Sequence, residues 1–300
     1  MDRKSGVMLA LSAAVISGFA VFINKYSVSQ IDSDVFTFLK NVVAAVFLLC
    51  LILFARNFKA LKELSARQWL QLVAIGLVGG SIPFILFFKG LSLTSAASGS
   101  LIHKSLFIFA TFFAVILLKE KINKWLFLGA VLILAGNFLI LKLTPFSFGL
   151  GELLVLIAAV LWGFENVLSK YTLNGLPASI VAFGRMFFGS VFIFIYLAVV
   201  QKIPLVAGLS SGDMLWTILT SVILFCFLIT YYSGLKYINV SSATAILLAG
   251  APITALLNFA TSDVHVALIQ LFGIILAGLG IALAVFSEFR PSPLRIHSES

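Results

Sequence analysis

Charge is the scarcest property of this chain. Only 10% of its 300 residues are Asp, Glu, Lys or Arg, 61% are hydrophobic and the mean hydropathy is +1.16. A soluble domain carries about 25% charged residues, so that class is excluded. The alternation of apolar and polar positions over ~10 residues that a membrane β-barrel needs is also absent. Cys50 and Cys226 are the only cysteines, and both fall inside predicted helices. Neither a disulfide nor a metal site is expected. There is no P-loop, zinc motif or dinucleotide fingerprint, and no paired catalytic carboxylates or nucleophile with its base. No cofactor is expected, and no enzyme. Soluble domains and long linkers are missing too.

What is there is a series of apolar runs, each about 20 residues long, separated by short polar breaks. That is the pattern of helices crossing a bilayer. Ten are predicted, near Gly6–Ser29, Asp34–Ala55, Trp69–Gly90, Ser95–Leu118 and Lys124–Leu141, then Gly149–Thr172, Pro177–Val200, Asp213–Lys236, Val240–Thr261 and Val266–Ser287. The fold class is an all-α integral membrane protein. Asp2-Arg3-Lys4 resembles the start of a signal peptide. The run behind it lacks a cleavage site and recurs inside the chain, so a retained first helix is expected.

The recurrence organises the whole sequence. Ala13–Ser27, AAVISGFAVFINKYS, and Ala158–Thr172, AAVLWGFENVLSKYT, share seven of fifteen residues at an offset of 145. Gly129 and Gly136 return as Gly273 and Gly280 at an offset of 144. The expected units are residues 1–145 and 146–290, five helices each, with 291–300 a cytoplasmic tail. An odd number of helices per repeat makes the halves insert in opposite directions, giving two inverted five-helix repeats. Ala14-x-x-x-Gly18 and Ala159-x-x-x-Gly163 are small-residue packing motifs. Pro252 aligns with Ser105, and a proline there either opens a gap lining a cavity or is a tolerated kink.

Orientation follows the basic residues. With the N-terminus in the cytoplasm, thirteen Lys or Arg fall inside, from Arg3 and Lys4 to Arg290 and Arg295, and only Lys25, Lys142 and Lys202 outside. The expected location is the plasma (inner) membrane, multi-pass, with both termini cytoplasmic. The formal charge of +9 is then explained by cytoplasmic loops, and no nucleic-acid partner is expected. The segment Arg56–Arg67 reads equally as a short surface helix or a solvated loop.

Ionisable groups inside a membrane each need a reason, because insertion costs about 2.5–3.5 kcal/mol. At about 1.5 Å per residue, Lys40 lies about 9 Å below the outer surface, and His103 and Lys104 about 12–14 Å below it. Arg185 and Glu165 lie about 12 Å and 10 Å from the inner surface. Glu165 is the only acid expected to be buried in a span. It replaces Ala20 of the first half, and Trp162 replaces Ser17. Trp162, Glu165, Asn166 and Ser169 share one helix face by their spacing, which must point to the bundle interior. A Glu165–Arg185 pair is either a structural salt bridge or a proton-linked switch. Lys40, the counterpart of Arg185, has no such acid, and Lys104 lacks one too. Their missing anion is read as a substrate carboxylate or phosphate, with snorkelling as the alternative for Lys40. His103 is either a packed histidine or a group titrating near neutrality. Tyr231-Tyr232, with phenylalanines, are candidates for the wall of an aromatic pocket.

The repeats at Gly18-Phe19…Lys25-Tyr26 and Trp162-Gly163…Lys170-Tyr171 are joined by three further motifs. These are Gly90-Leu91…Thr94-Ser95-Ala96-Ala97, Gly234-Leu235…Ser241-Ser242-Ala243-Thr244-Ala245 and Leu118-Lys119-Glu120-Lys121. Together they resemble the drug/metabolite transporter superfamily, EamA type. The resemblance implies ten transmembrane helices and alternating access about a central cavity, with the fifth and tenth helices peripheral. It also implies a small-molecule substrate, often exported. The expectation is a secondary transporter of a small amino-acid-like, anionic or zwitterionic metabolite in a lipid bilayer. Substrate contacts would come from Lys40, His103, Lys104, Trp162, Glu165, Asn166, Arg185 and Tyr231, with proton coupling through Glu165. A homodimer is compatible with the sequence. Alternatives are a cationic multidrug exporter, a channel or a lipid-handling enzyme.

Overall fold

Within lipid every backbone amide must find its partner inside the segment, and the apolar runs are accordingly helical in the computed structural model. It describes residues 2–27, 31–55, 58–94, 99, 102–140, 148–261 and 267–289. Among these, eight helices are long and apolar enough to span a membrane, and two shorter apolar ones accompany them. The first half comprises α1 (Arg3–Ser27), α2 (Ser33–Phe54), α3 (Ala66–Leu93), α4 (Ile102–Leu118) and α5 (Lys124–Ile140). The second comprises α6 (Leu150–Leu173), α7 (Ala178–Val199), α8 (Ser211–Tyr237), α9 and α10 (Leu268–Phe289). Helix α9 is interrupted, running Val240–Leu247 and then Gly250–Thr261. The ten predicted spans are the ten helices, with ends displaced by a few residues where capping groups decide them. Residues 95–98 of the predicted fourth span, the Lys25 side chain, Lys142, Asp263, Arg290, Arg295 and the tail 291–300 lie outside the described residues.

Polar side chains fix the ends. The Asp32 carboxylate accepts from the amides of Asp34 (3.0 Å) and Val35 (3.2 Å) at the start of α2. Ser65 with Gln68, and Ser210 with Asp213, form reciprocal capping boxes on α3 and α8. Between α2 and α3, Phe58–Lys62 forms a five-residue helix, the first of the two readings of that connection. Arg3 of α1 and Glu288 of α10 meet at 2.8 Å; the face they share is called here the terminal face, and the opposite face is the distal one. On the distal face Lys202 Nζ lies 2.6 Å from Asp34 Oδ2 and 2.8 Å from Asp32 Oδ2, tying the α7–α8 connection to α2. Burial lowers the Lys202 pKa, but the two carboxylates outweigh it and hold it above its usual value. Burial alone would raise Asp32, but Lys202 and the cap amides keep it below the usual carboxylate range.

Exchanging the two halves maps the packing onto itself. Helix α2 packs on α7 and α5 on α10, while α1·α8 exchanges with α6·α3, and α1·α9 with α6·α4. The α5·α10 pair shows the sense of the repeat. Side chains at Gly129 and Gly136 would come within 2.6 Å and 2.5 Å of the carbonyls of Gly280 and Gly273. Glycine alone permits that approach. The order of the contacts is reversed along the two helices, so equivalent helices run antiparallel, as inverted repeats require.

Candidate functional site

Helix α3 prepares the site by widening. Residues Gly76–Ser81 form a π-helical turn, a distortion that frees backbone groups and recurs at functional sites. Pro83, four residues after Gly79, has no amide hydrogen to offer the Gly79 carbonyl. That oxygen instead accepts Trp162 Nε1 of α6 at 3.0 Å and Arg185 Nη2 of α7 at 3.1 Å. The Gly80 carbonyl accepts Asn41 Nδ2 of α2 at 2.7 Å. A side chain at Gly79 would stand 2.3 Å from Glu165 Cγ, and one at Gly80 2.1 Å from the Arg185 carbonyl. The sequence therefore holds two glycines where three helices close on α3.

Glu165 and Arg185 are both buried and do pair, with Arg185 Nη1 3.5 Å from Glu165 Oε2. The pair belongs to a larger network. Arg185 Nη1 donates to the Tyr232 hydroxyl at 3.0 Å. Glu165 Oε1 accepts from Tyr232 and from Ser169, each at 2.5 Å. The guanidinium also lies 5.9 Å from the ring centres of Phe84 and Tyr232, a cation–π geometry. The carboxylate is thus fully engaged by its own protein. Beside it, Tyr231 donates to Asn166 Oδ1, and Asn166 Nδ2 returns to the Trp162 carbonyl of its own helix at 2.7 Å.

The other half of the site is different. Lys40 Nζ donates to Asn24 Oδ1 at 3.0 Å and sits 5.5 Å from the Phe36 ring. Lys104 is buried, and no described residue offers it a hydrogen bond or an ion pair. His103 packs 5.2 Å from Trp162 and 5.0 Å from Phe87, ring centre to ring centre. Its ring is held between these two aromatic side chains. Phe84 and Phe87 meet Trp162 edge-on at 5.2 Å and 5.3 Å, so Trp162 is the centre of an aromatic wall.

All eight residues singled out from the sequence line one cavity of about 200 Å³. They reach it from α2, α4, α6, α7 and α8. Breaks in two helices open space beside it. Helix α4 turns at Ser105, and α9 is interrupted at Leu248-Ala249, four and three residues before Pro252. Thr244, Leu247 and Leu248 line the cavity, so the predicted gap is present. Sequence reading passed over Asn24, Asn41, the freed carbonyls and the hydrogen-bonding role of the Tyr232 hydroxyl. The Gly79-Gly80…Pro83 spacing was the available signal. One expectation is corrected: Glu165 is not the only buried acid in a helix. Asp34, Glu152 and Glu288 are buried as well, each near a helix end where partners reach it. Lys202 holds Asp34, Thr94 and the Gly149 amide hold Glu152, and Ser242 and Arg3 hold Glu288.

The comparison with known sequences settles the family. The sequence model of the EamA-like transporter family matches residues 4–142 and 149–286. This chain belongs to the EamA-like transporter family. It is a multi-pass membrane transporter. An uncharacterized transporter encoded in the cobO 3′ region of Sinorhizobium sp. is 32% identical over 130 residues, covering 43% of this chain and 91% of the relative. The uncharacterized transporter YyaM of Bacillus subtilis is 22% identical over 294 residues, 95% of this chain and 94% of the relative. A solved crystal structure superposes with a TM-score of 0.80 at 18% identity, covering 95% of this chain and 98% of that one. At that identity the likeness concerns the fold alone.

Proposed function

We propose that this EamA-family protein is a secondary transporter of a small anionic or zwitterionic, amino-acid-like metabolite, working by alternating access about the cavity between its halves. The observation that carries the reading is the imbalance of charge in that cavity. Lys104 has no partner among the described residues, Lys40 has only a neutral amide, and the one lining acid, Glu165, is occupied by Tyr232, Ser169 and Arg185. An unpaired charge away from water is unfavourable, and an anionic substrate removes that penalty when it binds. Discontinuous α4 and α9 beside the cavity support the same reading, because transporters place substrate at such breaks. The volume of about 200 Å³ falls below the ~300–1,000 Å³ of drug-sized pockets, which favours a metabolite over a multidrug substrate. Export is the direction suggested by the superfamily resemblance. The basic residues favour a plasma membrane with the terminal face in the cytoplasm.

The test is counterflow in proteoliposomes with amino acids, carboxylates, phosphates and organic cations. Saturable counterflow of an anion or zwitterion, lost in Lys104→Ala, is expected. Flux that neither saturates nor shows counterflow would mean a channel. Counterflow of cations alone would overturn the anion reading.

A further inference from the structure

The cavity as a whole carries more positive charge than its one lining carboxylate can offset. Among the described lining residues, three are cationic, Lys40, Lys104 and Arg185, and one is acidic, Glu165. The Glu165–Arg185 contact accounts for one charge of each sign. Two ammonium groups remain, on α2 and α4, and both side chains are more than nine-tenths buried. What lies around them is neutral. Asn24 accepts one hydrogen bond from Lys40, the Phe36 ring lies 5.5 Å from the same Nζ, and Phe87, His103 and Trp162 build an aromatic wall. Glu165 cannot turn to serve them without abandoning Tyr232, Ser169 and Arg185.

We propose that the cavity selects a dianion, a small molecule carrying two carboxylates or one phosphate monoester, held by the ammonium groups of Lys40 and Lys104. The proposal rests on the anionic reading above and narrows it. A zwitterion brings an ammonium of its own into a site already short of negative charge. A monoanion leaves one lysine uncompensated. Only a doubly charged substrate brings the cavity to neutrality, and buried charges are tolerated when each is paired and hydrogen-bonded. The body of the molecule rests on the aromatic wall around Trp162. The modest cavity volume limits it to the size of a simple dicarboxylic acid or a small phosphate ester.

The experiment measures ligand-induced thermal stabilisation of the purified full-length protein at pH about 8, where phosphate monoesters are dianions. Each probe series holds shape constant and changes only charge. The series are succinate, its monoamide and its diamide; isophthalate, its monoamide and its diamide; and phenyl phosphate against phenyl sulfate. Glutamine and an organic cation, tetraethylammonium, complete the panel. In at least one series the dianion should bind on the order of tenfold more tightly than the monoanion, as expected for one hydrogen bond to a charged group. The diamides should have no effect. Whether a dicarboxylate or phenyl phosphate responds identifies the chemical source of the two charges. Lys104→Gln and Lys40→Gln should each reduce the dianion to the affinity of its monoanion, while Lys104→Arg keeps the preference. Should one glutamine variant fail to melt cooperatively, the other and the arginine variant carry the test. Equal binding of mono- and dianion, or preference for glutamine, overturns the dianion and leaves the anionic or zwitterionic reading standing. Response to tetraethylammonium alone, or to nothing in the panel, overturns both.

Discussion

The two halves of this EamA protein occupy the same positions with different chemistry. Counting back 145 residues, Glu165 corresponds to Ala20, Ser169 to Asn24 and Arg185 to Lys40, and at the offset of 144 given by Gly90 and Gly234, Tyr231-Tyr232 corresponds to Phe87-Phe88. In the second half these positions form a closed network of acid, guanidinium and hydroxyls. In the first half the acid is an alanine and the hydroxyls are bare rings. In their place stands one contact, Asn24 accepting from Lys40. One half pairs its own acid with its own guanidinium. Its counterpart leaves charges for something else to satisfy.

That contrast is breakable by substitution. The largest effect is expected in the closed network. Glu165→Gln strands Arg185 and should cost about 3–5 kcal/mol, the usual penalty for removing one partner of a buried pair. Lys40→Met at the equivalent place should leave the melting midpoint unchanged or raised, because it removes a charge that lacks an acid. Equal losses from both would end the comparison. If transport is proton-coupled through Glu165, the same Gln variant also loses its response to an imposed pH gradient in liposomes. An unaltered response would sink that role.

A smaller effect is expected from giving the first half what it lacks. Ala20→Glu places an acid at the position equivalent to Glu165, on the wall of the cavity that also holds Lys40. Desolvation and attraction nearly cancel for such a pair, so stability should move by less than about 2 kcal/mol. Ligand preference should move more, from dianion towards monoanion, in the thermal-shift series. An unchanged preference would show that the two halves do not exchange roles by charge alone.

The smallest effect lies on the distal face. Lys202→Ala removes a partly exposed ion cluster worth about 1 kcal/mol or less. Its signature is in the pH profile. Asp32 has a folded pKa below its unfolded one, so its contribution is present above the unfolded value, near 4, and is lost as pH falls through the folded value. The Lys202 pKa is raised, so its share is complete below the unfolded value, near 10, and fades as pH rises through the folded one. The variant should therefore show a flatter loss of stability below pH about 4, measured by thermal melts across that range. A profile parallel to the parent's would mean that the cluster contributes nothing.

Much of this was legible in the residues. Ten apolar runs gave ten helices because lipid leaves the backbone no alternative. The cost of charge in a membrane pointed to Lys40, Lys104, Glu165 and Arg185, and the structure brings them to one cavity. The helical spacing of Trp162, Glu165, Asn166 and Ser169 placed them on one side of α6. What stayed hidden were acceptors without a side chain. Every residue carries a backbone carbonyl, and here the wide turn together with Pro83 makes those of Gly79 and Gly80 available. Asn24 and Asn41 escaped notice because an amide costs far less to bury than a charge. Glu152 and Glu288 went unremarked because they sit near helix ends, and only partners met in the folded chain bury them.

The Gly79 carbonyl has one property that no titratable partner shares. A carbonyl dipole keeps its sign at every pH, and it is fixed to the backbone of α3 rather than to a rotatable side chain. Arg185 is bound to that oxygen as well as to Tyr232 and Glu165, and Trp162 is bound to the same oxygen from the other side. Were Glu165 to take up a proton, the guanidinium would lose its counter-charge yet keep an anchor. The aromatic wall would keep its orientation. One backbone oxygen thus fixes a guanidinium and an indole relative to each other on the cavity wall, independently of the acid beside them.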